Sequence, residues 1–300
     1  MVGHSTSEMS DSGSRERRIP TPALRREMAG FLSGFASDDT RGTYERCLRE
    51  FLRWYEASPS FRFTVEDIEH YKQYLAGTKQ FSPVSVSTYL TSLRRLCAYL
   101  AARGVLPENP AASVPGTKCS RRHRRSHLSP EEVRQLLETL SEEDELSSRN
   151  SAIVHLMIDC GLTTKEIVQL NVDDYRGIPL RRFLCVRGRK RTTEARVELP
   201  LASERALDRY LAWRKRNQGE PLTQPLFVSL TPHRLGKRIS RRCVRGVVAS
   251  HLIRAGIKRS NITPLSLRRT AAHRMAEAGA TPEEIRQRLR LGSMQTTFVY

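Results

Sequence analysis

The sequence predicts a mainly α-helical protein with one small antiparallel sheet, divided into a helical first domain and a mixed second domain. Three observations carry this expectation. Helix-period apolar spacing runs from about residue 20 to 114 with no strand signal. Strand-like stretches around a basic turn appear only after residue 180. A charge-dense segment separates the two regimes. The expected boundaries are a disordered tail over 1–22, a helical domain over 23–115, a basic linker over 116–128 and a second domain over 129–300.

In "DDTRGTYERCLREFLRWYEA", Tyr44, Leu48, Phe51, Leu52 and Tyr55 keep three/four spacing with Arg between them, one apolar face of a helix. Thr64 and Asp67 form a capping-box pattern that opens a second helix. Ser82 and Pro83 start another, which runs through Val86, Leu90, Leu93, Cys97 and Leu100 and stops at Gly104. In the second domain, Ser129, Pro130 and Glu132 cap a helix over "LSPEEVRQLLETL", and a further helix ends at Gly161. "RRFLCVRGRKRTTEARVELPL" reads as two strands around a turn at 188–193, and "PLFVSL" reads as a third strand. Helices over 240–256, 265–279 and from Thr281 onward complete the chain, the last with a Thr281–Glu284 capping box.

Composition narrows the function classes. Lys plus Arg number 51 against 32 Asp plus Glu, a formal charge of +19, and such self-repulsion is best tolerated beside a polyanion. Nucleic acid is the leading partner, because no apolar run approaches bilayer length. The six Cys (47, 97, 119, 160, 185 and 243) stand singly, without the spacing of a zinc site or a disulfide framework, so no metal or cofactor is expected. The N-terminus lacks an apolar signal core, and a cytoplasmic, nucleoid-associated protein is the expectation. In "TKCSRRHRRSH", residues 117–127, Arg121, Arg122, Arg124 and Arg125 form either a solvated spacer or a strap across phosphates. The density of charge between two basic domains favours the strap. Arg94, Arg95, Arg241, Arg242 and Arg269 are expected to add DNA contacts.

The order and spacing of "GVLPENPAASV", "IVHLMIDCGLTTKEIVQLNVDDY", the basic hairpin, "SRRCVRGVVASHLIRAGI", "ITPLSLRRTAAHRMAEAGATPEEI" and the terminal "TTFVY" resemble the tyrosine recombinase (phage integrase) family over about residues 25–300. The resemblance implies a helical SAM-like core-binding domain and an α+β catalytic-type domain, a C-shaped clamp on duplex DNA. It also implies the chemistry. A tyrosine hydroxyl attacks a phosphodiester, forms a phosphotyrosyl link and expels a sugar hydroxyl. Two Arg clamp the phosphate oxygens while Lys and His or Trp groups manage protons.

Position by position, the match is incomplete. Tyr300 stands at the nucleophile position and Arg268 at the second Arg, and either Arg189 or Lys190 in "GRKR" stands at the hairpin base. The family's first Arg is replaced by Thr163 in "GLTTKE", and Lys165, two residues on, does not share its helix face. Leu265 and Leu291 occupy positions where the family carries His, or His or Trp. Two aliphatic side chains at proton-handling positions suggest a site repacked as core. Arg268 reads as a phosphate contact, a clamp, or half of a buried pair with Glu166, and phosphate contact is favoured. Tyr300 reads as a packed terminal residue in preference to a nucleophile. His273 reads as a satisfied helix residue.

The expected function is therefore a DNA-binding member of the family, acting in recombination or integration with an impaired site of its own. The alternative is an active recombinase cleaving through Tyr300, with a partner recombinase completing the site. A non-specific nucleoid protein is a third, weaker reading. Family members run past the tyrosine into a tail that docks on a neighbour, so a sequence ending at Tyr300 points away from a self-assembled tetramer unless it is a piece of a longer chain.

Overall fold

The computed structural model describes residues 18–117, 127–187, 194–222, 224–257, 259 and 261–292. The chain divides into two compact units, Met1–Arg121 and Arg122–Tyr300.

The first unit is all helical among the described residues: α1 (Thr21–Ser33), α2 (Asp38–Glu56), α3 (Val65–Gln73) and α4 (Pro83–Ala102), with one π-helical turn, Tyr74–Thr78, continuing α3. Each start has a local cause. Pro20 and Pro22 open α1, and the Ser37 hydroxyl accepts from the Thr40 N–H at α2. Thr64 and Asp67 exchange side-chain and backbone hydrogen bonds at α3, and Ser82 caps α4 ahead of Pro83. Helix α2 packs on α4, and α1 packs on both. Leu48, Phe51 and Tyr55 meet Leu90, Leu93 and Leu100 in one core. Beside them Phe51, Trp54, Phe61 and Tyr71 make edge-on and tilted ring contacts at centroid distances of 5.0 to 5.7 Å.

The second unit is built around α6 (Glu145–Ile158), whose Ile153, Val154, Leu156, Met157 and Ile158 are all buried. A helix apolar on every side needs neighbours all round. Helix α8 (Leu201–Gln218), α9 (Arg241–Arg254) and α10 (Pro264–Glu277) provide them. Helices α5 (Pro130–Glu138), α7 (Thr164–Gln169) and α11 (Pro282–Arg288) open on capping boxes at Ser129–Glu132, Thr163–Glu166 and Thr281–Glu284. The sheet is antiparallel, in the order β1 (Tyr175–Ile178), β2 (Arg181–Arg187), β3 (Glu194–Glu198). Leu184 stands opposite Tyr175 on one side and Val197 on the other, which turns one face of β2 toward the core.

Three elements differ from the sequence expectation. "PLFVSL" forms no strand; Leu226, Phe227 and Val228 are buried in irregular chain, and single bridges tie Pro225 to Asn171, Val228 to Arg238 and Ser229 to Leu235. The third strand is instead Tyr175–Ile178, whose residues are mostly exposed and carry no apolar alternation. Helix α8 was not anticipated. Its buried face places Arg214 after Ala206, Leu207 and Tyr210, and that fully buried guanidinium donates to the Pro225 and Leu226 carbonyls. A charge on the core face breaks the apolar stripe that marks a helix. No helix among the described residues is long and apolar enough to cross a membrane.

Gly161 joins α6 to α7 at φ +62°, and a Cβ there would lie 2.4 Å from Leu289 Cδ2. Gly161→Ala is expected to destabilise the second unit by more than about 2 kcal/mol, from left-handed strain plus overlap. The check is the urea midpoint followed by circular dichroism; an unchanged midpoint would show that the turn has room to relax.

Candidate DNA-phosphate site

A cavity of about 250 Å³ opens on the second unit, walled by Thr163, Thr164, Arg245, Thr263, Leu265 and Arg268. The start of α7 brings the threonines 163 and 164, α9 brings Arg245, and the first turns of α10 bring Leu265 and Arg268. The Thr163 hydroxyl accepts from the Glu166 N–H at 3.2 Å, and the Thr163 N–H donates to the Glu166 carboxylate at 2.7 Å. Thr163 is thus a helix cap facing a cavity, and the pattern T-x-x-E in "TTKE" was a legible signal for it.

Glu166 is the electrostatic centre of the site. Its Oε2 lies 3.3 Å from Arg268 Nη1, and its Oε1 lies 2.7 Å from Arg290 Nε, with Arg290 Nη2 3.3 Å from Oε2. Burial alone would push this carboxyl up. The hydrogen bonds and charge of Arg290, with the charge of Arg268 and the Thr163 N–H, outweigh it and hold the carboxyl below its ordinary value. Arg268 also donates to the Gly161 carbonyl at 2.6 Å and to the Leu289 carbonyl. Both guanidinium side chains are nearly inaccessible, at 5% for Arg268 and 7% for Arg290.

Several expectations are revised by this geometry. Phosphate contact was favoured for Arg268, yet its guanidinium is buried in the ion pair with Glu166 and in carbonyl contacts; it reaches the cavity only as part of the wall. Leu265 and Leu291 were expected to share one fate. Leu291 is buried with Ala272, Ile285 and Leu289, whereas Leu265 is 42% exposed, because it precedes the turn of α10 that enters the core. Arg94 was expected on DNA, but its Nε and Nη2 donate to the Ala111 and Val114 carbonyls, stapling the end of the first unit.

Arg95, Arg241 and Arg242 are exposed, Arg95 with its guanidinium 5.7 Å from the Tyr44 ring centroid, and Arg269 is half-buried. His273 stacks on His127 at 4.1 Å and lies 3.3 Å from Glu277. Arg121, Arg122, Arg124, Arg125, Arg189, Lys190 and Tyr300 lie outside the described residues. Arg245 and Arg290 were missed. For Arg290 the sole signal was a counting one: thirty-five residues from Leu265 to Tyr300 put it at the glycine of the family's "LGH", and its φ of +55° is a glycine-type conformation.

Residues 126–300 match the family described as "Phage integrase family", and residues 32–104 match "Phage integrase, N-terminal SAM-like domain". The chain belongs to the phage integrase family. A tyrosine recombinase XerC of Pelobacter propionicus is 31% identical over 269 residues, spanning 88% of this chain and 84% of the relative. Two solved structures share the fold at 16% identity. XerH site-specific recombinase bound to palindromic difH substrate has a TM-score of 0.73, covering 95% of this chain and 94% of that one. A lambda integrase dimer bound to a COC′ core site has a TM-score of 0.72, covering 99% and 81%. This phage integrase family member is thus a tyrosine recombinase relative, of a family that acts in site-specific recombination.

Glu166→Gln would leave two buried guanidiniums facing a neutral amide. The expected cost is about 3–5 kcal/mol at neutral pH. A folded-state carboxyl held below 4.5 contributes stability that is fully present above that value and is lost as pH falls through the folded value. The wild-type urea midpoint should therefore drop more between pH 5 and pH 2.5 than that of the Gln variant. Equal drops in the two proteins would show that Glu166 does not carry this acid limb.

Proposed function

We propose that this protein is a DNA-binding member of the tyrosine recombinase family whose own strand-cleaving site is impaired, and that it regulates or supports recombination carried out by other proteins. Both units contribute to binding duplex DNA, and the basic residues of 117–127 add positive charge for its phosphates. The observation that carries the reading is the composition of the cavity wall. A threonine cap and an exposed leucine stand at two positions where the resemblance implies a guanidinium and a proton donor, and Arg268 is engaged by Glu166.

The physical reason lies in what an attacking tyrosine needs. Its hydroxyl, with an ordinary pKa near 10, must lose a proton as its oxygen bonds to phosphorus, while the departing sugar oxygen gains one. The developing charge on the non-bridging oxygens needs donors aimed at them. Thr163 offers a hydroxyl without charge, and neither Leu265 nor Leu291 exchanges protons. Groups that act as a unit are lost as a unit, so three replacements together remove most of the rate.

Covalent capture tests the reading. Protein mixed with a pool of nicked suicide duplexes is expected to bind DNA and leave no adduct after denaturation. A variant restoring Thr163→Arg, Leu265→His and Leu291→His should be required before any adduct appears. Adducts formed by the natural chain and abolished by Tyr300→Phe would instead establish an active recombinase. The identity with XerC tyrosine recombinases is what favours that second reading.

A further inference from the structure

Arg245 is exposed, lines the cavity between α7, α9 and α10, and among the described residues takes part in no hydrogen bond or ion pair. Every other cation named around the cavity has a job: Arg268 and Arg290 hold Glu166, and Arg290 also donates to the Arg288 carbonyl at 2.6 Å.

We infer that Arg245 is a phosphate-binding residue which takes over the charge missing at Thr163, seating one DNA phosphodiester in the cavity between α7, α9 and α10. This rests on the DNA-binding reading above and deepens it. Two independent features support it. First, the ion triad leaves surplus positive charge, because one carboxylate faces two guanidiniums, and Arg245 adds a further charge at an open wall. Second, Arg241 and Arg242 precede Arg245 by four and three residues on α9, so the three share one helical face. Helix α9 carries no acidic residue to balance them. Like charges at that spacing repel along an isolated helix, and a row of phosphates relieves the repulsion. The cavity stands at the end of that row.

The test is duplex binding by the full chain at a series of salt concentrations. Each neutralised phosphate contributes about 0.9 to the slope of log affinity against log salt. Arg245→Gln is expected to weaken binding and reduce that slope by about one. Arg216→Gln, an exposed arginine on α8 beside Trp213, controls for net charge and should leave the slope unchanged. Adding Thr163→Arg to the Arg245→Gln chain should restore the lost slope, because both side chains line the same cavity. Equal slopes for the two Gln variants would overturn the assignment of Arg245 and leave the DNA-binding reading standing. Failure of the natural chain to bind duplex at low salt would overturn both.

Discussion

A single carboxylate, Glu166, held between the guanidiniums of Arg268 and Arg290, is the constraint on which the second unit's site depends. It joins segments far apart in the chain: the cap of α7, the second turn of α10 and the residues just past α11. Arg268 extends the network to the Gly161 and Leu289 carbonyls, so the turn after α6 is included. Taking three charges out of water is costly, and the arrangement survives only because nearly every donor has an acceptor. The pairing then fixes the backbone at Thr163 and with it the lip of the cavity. It also fixes what Arg268 can do. A guanidinium that closes a fold from inside has little freedom to follow charge developing on a substrate.

Much of the fold was legible because helix starts are written in short local patterns. The boxes at Thr64, Ser129 and Thr281 need only residues three apart, and all three form as expected. What was illegible depends on tertiary partners. Arg214 disguises α8 because its desolvation is offset by two carbonyls from a distant loop, contacts that no local window contains. The strand Tyr175–Ile178 exists because β2 offers it a hydrogen-bonding edge, not because its own residues alternate. "PLFVSL" is apolar enough for a strand but is buried as a connection, where single bridges replace a ladder.

The site shows the same division. The replacements at Thr163, Leu265 and Leu291 can be read along the chain, but their consequences cannot. Leu291 joins a small core and Leu265 meets solvent, a difference set by where each falls around its turn. Arg290 was invisible because its role comes from Glu166, 124 residues away. Its left-handed backbone carries a strain of roughly 1–2 kcal/mol for a residue with a side chain, and the buried ion pair gives that strain a reason to persist.

Attraction and catalysis separate naturally in such a site. Arg245 sits on α9, whereas the position it compensates is the cap of α7, so charge returns to the cavity from a different direction. Coulomb attraction tolerates that change, since it falls off gently with distance and barely depends on angle. Stabilising the charge that develops during phosphoryl transfer does not tolerate it, because donors must point at oxygens whose positions differ from those of the ground state. A cation that binds ground state and transition state equally tightens the complex without raising the rate of the chemical step. Under the proposed reading, a guanidinium on the face of α9 in place of one at the cap of α7 keeps the grip on the phosphate, while aliphatic side chains at two proton-handling positions leave the chemical step unsupported.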